Sequence, residues 1–215
     1  MQTHTSNYRH PTCRRSTSPL ASALLLFVTC GTSAAPALPP AEYALYSALL
    51  NHGLEQTAQQ AVIADLTTGD PARIVTGGPP TAARALELNT TLELLQEWWR
   101  LNQQTFPLTA NFKLRIPYVM FKEADRDLLF RGDEPIAGWK LFFARYAGSS
   151  GVVRLSRVAF DAQHLQALVY LEFQCGPECG SGRLVQIARD PNGQWQVQSG
   201  ELIWIAGPRA APPKP

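Results

Sequence analysis

Two cysteines separated by three residues are the most specific local feature of this 215-residue sequence. Cys175 and Cys179 enclose Gly176-Pro177-Glu178, which is typical of a turn, and sulfurs in a turn can meet without distorting a helix or a strand. The spacing predicts a structural disulfide. A redox pair resembling the Cys-Gly-Pro-Cys of thioredoxin-like sites and a copper(I) site are the alternatives. A redox pair of the thioredoxin kind relies on a helix that starts at the cysteine, whereas glycines and a predicted strand follow Cys179. A copper(I) site needs further soft or imidazole ligands.

Arg157 is the second candidate for chemistry, because it lies in a predicted strand with apolar neighbours on both faces. Alternation places Arg157 on one face and Ser156 on the other, so one polar side chain points inward whichever face is buried. A buried guanidinium keeps its charge and needs a carboxylate or several carbonyls. Glu172 on the next predicted strand is a candidate partner. Arg157 and Glu172 are therefore interpreted either as part of a site that binds an anionic ligand through Arg157 or as a structural ion pair.

Histidines and carboxylates form no recognisable catalytic motif in this sequence. His52 and His164 fall in predicted loop or helix-end positions, where solvated histidines are common. The sequence contains neither Gly-x-Ser-x-Gly nor His-Glu-x-x-His, the motifs of serine hydrolases and zinc proteases. The acids between Glu123 and Glu134 alternate with Lys and Arg, as on a solvated helix. No catalytic residue, metal site or cofactor is predicted.

Five tryptophans could form a platform on which sugars stack, but their positions favour packing. Three of them belong to predicted helices and two to predicted strands. Adjacent tryptophans on a helix cannot both point the same way, so at least one of that pair is expected to be partly exposed. The residues are Trp98, Trp99, Trp139, Trp195 and Trp204.

The first 34 residues predict a cleaved secretory signal peptide. Arg9, Arg14 and Arg15 precede an apolar run at positions 20–28 that is too short to span a bilayer, and small residues follow it. A lipoprotein anchored at Cys30 is the alternative. The protein is therefore expected to be periplasmic or secreted, with no transmembrane segment in the mature chain.

Loss of the signal peptide changes both the charge and the cysteine content. It would leave 16 basic against 17 acidic residues, and it would remove Cys13 and Cys30. A nearly neutral chain is not expected to bind nucleic acid, which needs many phosphate contacts. Cys175 and Cys179 would be the only remaining cysteines, and in an oxidising compartment they would pair. With 45% hydrophobic residues, the composition excludes disordered and multi-pass membrane proteins.

Hydrophobic periodicity predicts helices in the first half of the mature chain and strands in the second. The predicted helices lie at about 43–50, 83–104, 123–131 and 138–146, with a loop at 67–80. Short strands are expected at 61–64 and 112–117. Longer strands at 152–160, 166–174, 183–188 and 194–205 predict a four-stranded antiparallel meander, with a tight turn at Asn192-Gly193.

This order of elements predicts an α+β fold, in which N-terminal helices pack on a C-terminal antiparallel sheet made of the meander and one or two extra strands. The long helix at 83–104 is expected to lie across one face of that sheet. A Pro-rich leader at 35–40 and a Pro-rich, disordered tail at 207–215 would flank a single domain at 41–206.

An ordered series of short blocks resembles a family of uncharacterised exported bacterial proteins with no established activity. In that family a Ser-Arg-Val-x-Phe strand precedes an Ala-Leu-Val-Tyr strand and a Gly-rich turn. The resemblance implies export and a single α+β domain. The matching blocks here are Gly138-Trp139, Phe142-Phe143, Tyr146-Ala147-Gly148-Ser149, Ser156 to Asp161, Ala167 to Tyr170, Cys175-Gly176, Cys179 to Gly182 and Asn192 to Trp195.

These observations favour a non-enzymatic binding or interaction domain, whose partner is an unknown protein or a small ligand. The alternative is a hydrolase-like enzyme with acids and Arg157 in a cleft between helix and sheet. A pocket lined by Arg157 and two or more carboxylates would favour the enzyme, whereas a dry, filled interface between helix and sheet would favour the binding domain.

Overall fold

The computed structural model describes residues 37–54, 58–132 and 134–207. The predicted signal peptide, the alternative anchor at Cys30 and the predicted tail beyond Gly207 lie outside the described residues. So does Asp133, one of the acids near the third predicted helix.

Six helices and seven strands form within the described residues. The helices are α1 (Pro40–Leu54), α2 (Pro71–Ile74), α3 (Ala82–Glu87), α4 (Leu92–Leu101), α5 (Glu123–Leu129) and α6 (Pro135–Arg145). The strands are β1 (Gln60–Ala64), β2 (Tyr118–Phe121), β3 (Ser149–Leu155), β4 (Ala159–Phe160), β5 (Gln166–Gly176), β6 (Cys179–Arg189) and β7 (Trp195–Ile205).

The strands form one mixed sheet in the order β2-β1-β3-β5-β6-β7, with β4 paired to β5. The predicted antiparallel meander is confirmed as β3, β5, β6 and β7. The expectation of a wholly antiparallel sheet is wrong, because β1 pairs in parallel with both β2 and β3. Parallel neighbours need a long connection, and helices α2 to α6 supply it, so helices and strands are interleaved rather than segregated.

Helices cover both faces of the sheet. On one face α1 packs against alternate residues of β1, β3 and β5, including Ile63, Val153 and Val169. On the other face two separate groups of helices pack at different places: α4 covers Leu168 of β5, and α6 covers Val152 of β3. The second face is therefore left open between these two groups.

The long helix predicted over 83–104 is wrong as a single element. Helices α3 and α4 are separated at Asn89, whose φ of 51° lies in the left-handed region that asparagine tolerates better than most residues. The hydroxyl of Thr91 then caps α4 by accepting a hydrogen bond from Leu94 N at 3.2 Å. This break redirects the chain so that α4 lies against the sheet.

The strand predicted over 112–117 is also wrong, since the described strand begins at Tyr118. The segment instead lies beside α1. Ser47 Oγ accepts from Lys113 N, and Asn51 Oδ1 accepts from Arg115 N, both at 2.9 Å. Side chains of a helix thus satisfy backbone groups that a neighbouring strand would otherwise satisfy.

The single strand predicted over 152–160 is divided into β3 and β4 by residues 156–158. The tight turn between β6 and β7 is confirmed, with Gly193 at a φ of 77° and its N–H donating to Asp190 O at 2.9 Å. The break at residues 156–158 decides where Arg157 points.

Candidate functional site

The two cysteines form the predicted disulfide. Cys175 is bonded to Cys179 with their Cα atoms 5.0 Å apart, in the turn that joins β5 to β6. Strand β6 begins at Cys179 itself, so the helix N-terminus that activates a thioredoxin-like cysteine is absent from this turn. The disulfide closes a hairpin.

Arg157 is paired with Glu42 and not with Glu172, which corrects the predicted partner. Its Nε and Nη2 atoms donate to Glu42 Oε1 at 2.9 and 2.6 Å. The Arg157 side chain is 12% exposed and that of Glu42 is 2% exposed. Because the chain leaves the strand at Ser156, Arg157 turns towards α1. In the register of β3 and β5, Arg154 is the residue opposite Glu172.

Further buried polar groups complete the surroundings of this ion pair. Glu42 Oε2 accepts from Val158 N at 3.0 Å, and Asn102 Oδ1 accepts from Arg157 N at 2.7 Å. Trp98 Nε1 donates to Ser156 Oγ at 2.9 Å. The interface is filled, and it joins α1 and α4 to the break between β3 and β4. Arg157 therefore belongs to a structural ion pair.

A cleft opens on the face of the sheet that α4 and α6 cover only in part. We call it the main cleft; it has a volume of about 520 Å³. A neighbouring side cleft of about 360 Å³ shares Arg73 and Gln174 with it. Both volumes fall in the range of roughly 300–1,000 Å³ that is usual for small-molecule sites. The main cleft is lined by Ala64, Arg73, Phe121, Glu123, Arg126, Asp127, Phe130, Trp139, Val152, Arg154 and Gln174, and the side cleft by Arg73, Ile74, Tyr170, Glu172, Gln174 and Trp204.

Strands β3 and β5 supply the polar floor of the clefts. Arg154 stands opposite Glu172, and Val152 stands opposite Gln174, on adjacent antiparallel strands. Residues directly opposite each other point to the same face. The alternation that buries Val153 and Leu155 beneath α1 therefore directs Arg154 into the main cleft.

Helices α5 and α6 supply an aromatic wall. The rings of Phe130 and Trp139 meet edge to face with centroids 5.2 Å apart. Gly138 allows this approach, because a Cβ there would collide with the ring of Phe130. On the same wall Arg126 is paired with Glu123 and lies 3.3 Å from Asp127, so two carboxylates share its single positive charge.

The side chain of Arg154 has neither a hydrogen bond nor an ion pair with any residue that the structure describes. Its Nε atom is buried and has no acceptor. A guanidinium offers five N–H donors and cannot shed its charge. A buried donor without an acceptor is costly. The floor of the main cleft thus contains a positive, unsatisfied hydrogen-bond donor.

Glu172 is held by neutral donors. Its Oε1 accepts from Gln174 Nε2 at 2.6 Å, and its Oε2 accepts from the Tyr170 hydroxyl at 3.2 Å. That hydroxyl accepts in turn from Trp204 Nε1 at 2.6 Å. Gly182 makes room for this arrangement, since a Cβ there would collide with both Tyr170 and Trp204.

Burial raises the pKa of the Tyr170 hydroxyl, and the charge of Glu172 raises it further, while the bond from Trp204 opposes the shift. The hydroxyl therefore keeps its proton at neutral pH. It can act as a fixed donor to Glu172.

His52 and His164 lie away from the clefts. His52 is exposed near the end of α1. His164 has a φ of 55° and stacks on Phe160, with centroids 5.1 Å apart. Among the residues that the structure describes, no three potential ligands from His, Cys, Asp and Glu come together to hold a metal ion.

Sequence reasoning missed Arg154, and it assigned all five tryptophans to packing. Trp98 is fully buried and Trp99 only partly, as expected for neighbours on a helix. Trp139 and Trp204, however, line the main and side clefts. A signal for Arg154 was present, because this charge interrupts a strand whose other residues are apolar or small on both faces.

No helix within the described residues is long and apolar enough to cross a bilayer. Compared with protein-family models, curated protein sequences and solved structures, the chain gives no significant match.

Proposed function

We propose that this chain is an exported, non-enzymatic binding domain that holds a small molecule with a carboxylate group in the main cleft. The leader pattern in residues 1–34 supports export. So does the disulfide between Cys175 and Cys179, because such bonds persist in oxidising compartments. The nearly neutral mature charge favours a small ligand over nucleic acid.

The unpaired guanidinium of Arg154 is the observation that carries this proposal. Its Nε atom is buried without an acceptor, and the Arg154 residue lines a cleft of ligand size. A planar carboxylate can accept two parallel hydrogen bonds from a guanidinium, which makes this pairing strong and directional. A carboxylate bound in the cleft would give this guanidinium, which has no side-chain partner among the described residues, a counter-charge at its terminal nitrogens.

The surroundings of Arg157 favour a binding domain over the hydrolase-like alternative. That alternative needs Arg157 in a cleft beside free acids, whereas Arg157 is bound to Glu42 in a filled interface. In the main cleft Glu123 and Asp127 are both near Arg126. These two acids are therefore engaged by an arginine and are not the free acids that the alternative requires.

The test is calorimetric titration of the disulfide-bonded protein with acetate, butyrate, caproate and benzoate. We expect at least one of them to bind the unaltered protein and to bind Arg154→Met at least tenfold more weakly. Arg183→Gln is the matched control, since Arg183 is exposed and stands opposite Leu171, on the face away from the clefts. It should bind as the unaltered protein does.

Thermal unfolding adds a second readout. Arg154→Met removes a buried donor without a partner, so its melting temperature should be no lower than that of the unaltered protein. The proposal is refuted if no small molecule with a carboxylate group, whether plain or amino-substituted, binds the unaltered protein, or if Arg154→Met binds such ligands unchanged.

A further inference from the structure

The charges that line the two clefts are balanced in number but separated in position. Three arginines and three carboxylates line them: Arg73, Arg126, Arg154, Glu123, Asp127 and Glu172. Arg126 neutralises much of the charge of its two acidic neighbours on α5. Arg73 and Arg154 on one side and Glu172 on the other thus have no ion-pair partner among the described residues.

Arg154 and Glu172 stand directly opposite each other and still form no ion pair. Directly opposed residues on antiparallel strands have Cα atoms about 4.5–5.5 Å apart, within easy reach of two such long side chains. The carboxylate is held instead by Gln174 and by Tyr170, which Trp204 fixes in place. The guanidinium lines the main cleft and the carboxylate lines the side cleft.

The Glu172 carboxylate also has unused acceptor capacity. A carboxylate offers about four acceptor positions, and from the residues that the structure describes those of Glu172 receive two hydrogen bonds, both from neutral groups. An ammonium group can donate to the remaining positions and neutralise the charge. Arg73 lies at the boundary of the two clefts on the exposed surface of α2, where it can reinforce binding of the negative end of a ligand.

We infer that the ligand is a small zwitterion that spans the two clefts, with its carboxylate on Arg154 and its ammonium group on Glu172. This inference rests on the proposed function, and it adds the second charged group of the ligand. A ligand with both charges is complementary to a site that presents a positive and a negative group apart from each other. A simple anion would instead leave the Glu172 carboxylate without a counter-charge and close to the negative charge of the ligand.

The experiment compares amino acids with plain carboxylates of the same chain length. Glycine, β-alanine, γ-aminobutyrate and ε-aminocaproate are titrated beside acetate, propionate, butyrate and caproate. We expect at least one amino acid to bind at least tenfold more tightly than its matched carboxylate. N-acetylation of that amino acid removes the ammonium charge and should abolish the advantage, and this readout needs no protein variant.

Glu172→Gln locates the ammonium site. This variant should lose the preference for the amino acid and keep the affinity for the plain carboxylate, whereas Arg154→Met should weaken both ligands. Glu178→Gln, in the exposed turn between Cys175 and Cys179, is the matched control and should keep the preference.

The outcomes separate this inference from the proposed function. If carboxylates bind through Arg154 but the ammonium group adds no affinity, the inference of a zwitterionic ligand is wrong and the proposed binding function stands. If Glu172→Gln keeps the full preference, the ammonium group lies elsewhere and the inference also fails. If neither ligand series binds, both proposals fail.

Discussion

The ion pair between Arg157 and Glu42 should be a major contributor to the stability of this fold. Glu42 receives hydrogen bonds from Arg157, from Val158 N at 3.0 Å and from the Tyr46 hydroxyl at 3.1 Å. Glu42→Gln keeps the size of the side chain, removes its charge and places an NH₂ group among these donors. It leaves the Arg157 guanidinium, only 12% exposed, without a counter-charge.

Removing one partner of a buried ion pair costs about 3–5 kcal/mol. Since Arg157 retains some exposure, we expect Glu42→Gln to lower the free energy of unfolding by an amount near the lower end of this range, about 3 kcal/mol. That is a large fraction of the roughly 5–15 kcal/mol by which domains are stable. Glu42→Gln combined with Arg157→Met also removes the stranded charge, so the double variant should be more stable than the sum of the single effects predicts.

Urea unfolding followed by tryptophan fluorescence measures these differences, provided that the slope with denaturant stays constant. Glu87→Gln is the control, because its ion pair with Arg84 lies at the surface with side chains 63% and 31% exposed. Such a pair contributes less than about 1 kcal/mol. A Glu42→Gln effect as small as that of Glu87→Gln would refute the reasoning.

Three further predictions concern a strand glycine, the disulfide and a buried tyrosine. Gly182→Ala should lower the free energy of unfolding by about 1–3 kcal/mol, because the new methyl group would overpack against Tyr170 and Trp204. Gly200→Ala is the control and should lower it less, since the nearest atom to its new Cβ would be 4.0 Å away. Equal losses of the two variants in urea unfolding would contradict this account. The double variant Cys175→Ser with Cys179→Ser should lower the free energy of unfolding by about 2 kcal/mol, because the disulfide closes only a short loop. A decrease above about 4 kcal/mol would show that the disulfide does more than close a hairpin. Burial and the charge of Glu42 raise the pKa of Tyr46 well above its usual value of 10.0, so its neutral form should stabilise the fold fully below about pH 10 and progressively less above it. The unfolding free energy should therefore fall with alkaline pH, and Tyr46→Phe should show a shallower fall; an identical slope would rule out this assignment.

Short-range patterns predicted the elements that depend on neighbouring residues. Asn192-Gly193 provides the positive φ that a tight hairpin needs, so the turn between β6 and β7 could be predicted without a fold. The pairing of Cys175 with Cys179 could be predicted from a turn and from the oxidising compartment that the leader pattern predicts. The antiparallel run from β5 to β7 followed from short connections, because strands joined by short turns pair with each other.

The sequence predictions were wrong where a distant segment or a single residue overrode the local hydrophobic pattern. Residues 112–117 alternate like a strand, but Ser47 and Asn51 of α1 bind their backbone. The break at Asn89 depends on a single residue that tolerates a positive φ, within a pattern that otherwise continues as helix. The parallel pairing of β1 could not be read from its short apolar run, which fits several positions in a sheet.

Composition, local periodicity and turn chemistry by themselves determined the class of elements, the meander, its tight turn and the disulfide, because each of these depends on residues close together in the chain. The tertiary structure alone decided that Glu42 pairs with Arg157 across a separation of 115 residues. It also decided that Arg154 faces an open cleft opposite Glu172. Charge pairing inside a protein depends on strand register and on which face each helix covers, and both are set only when the whole sheet assembles.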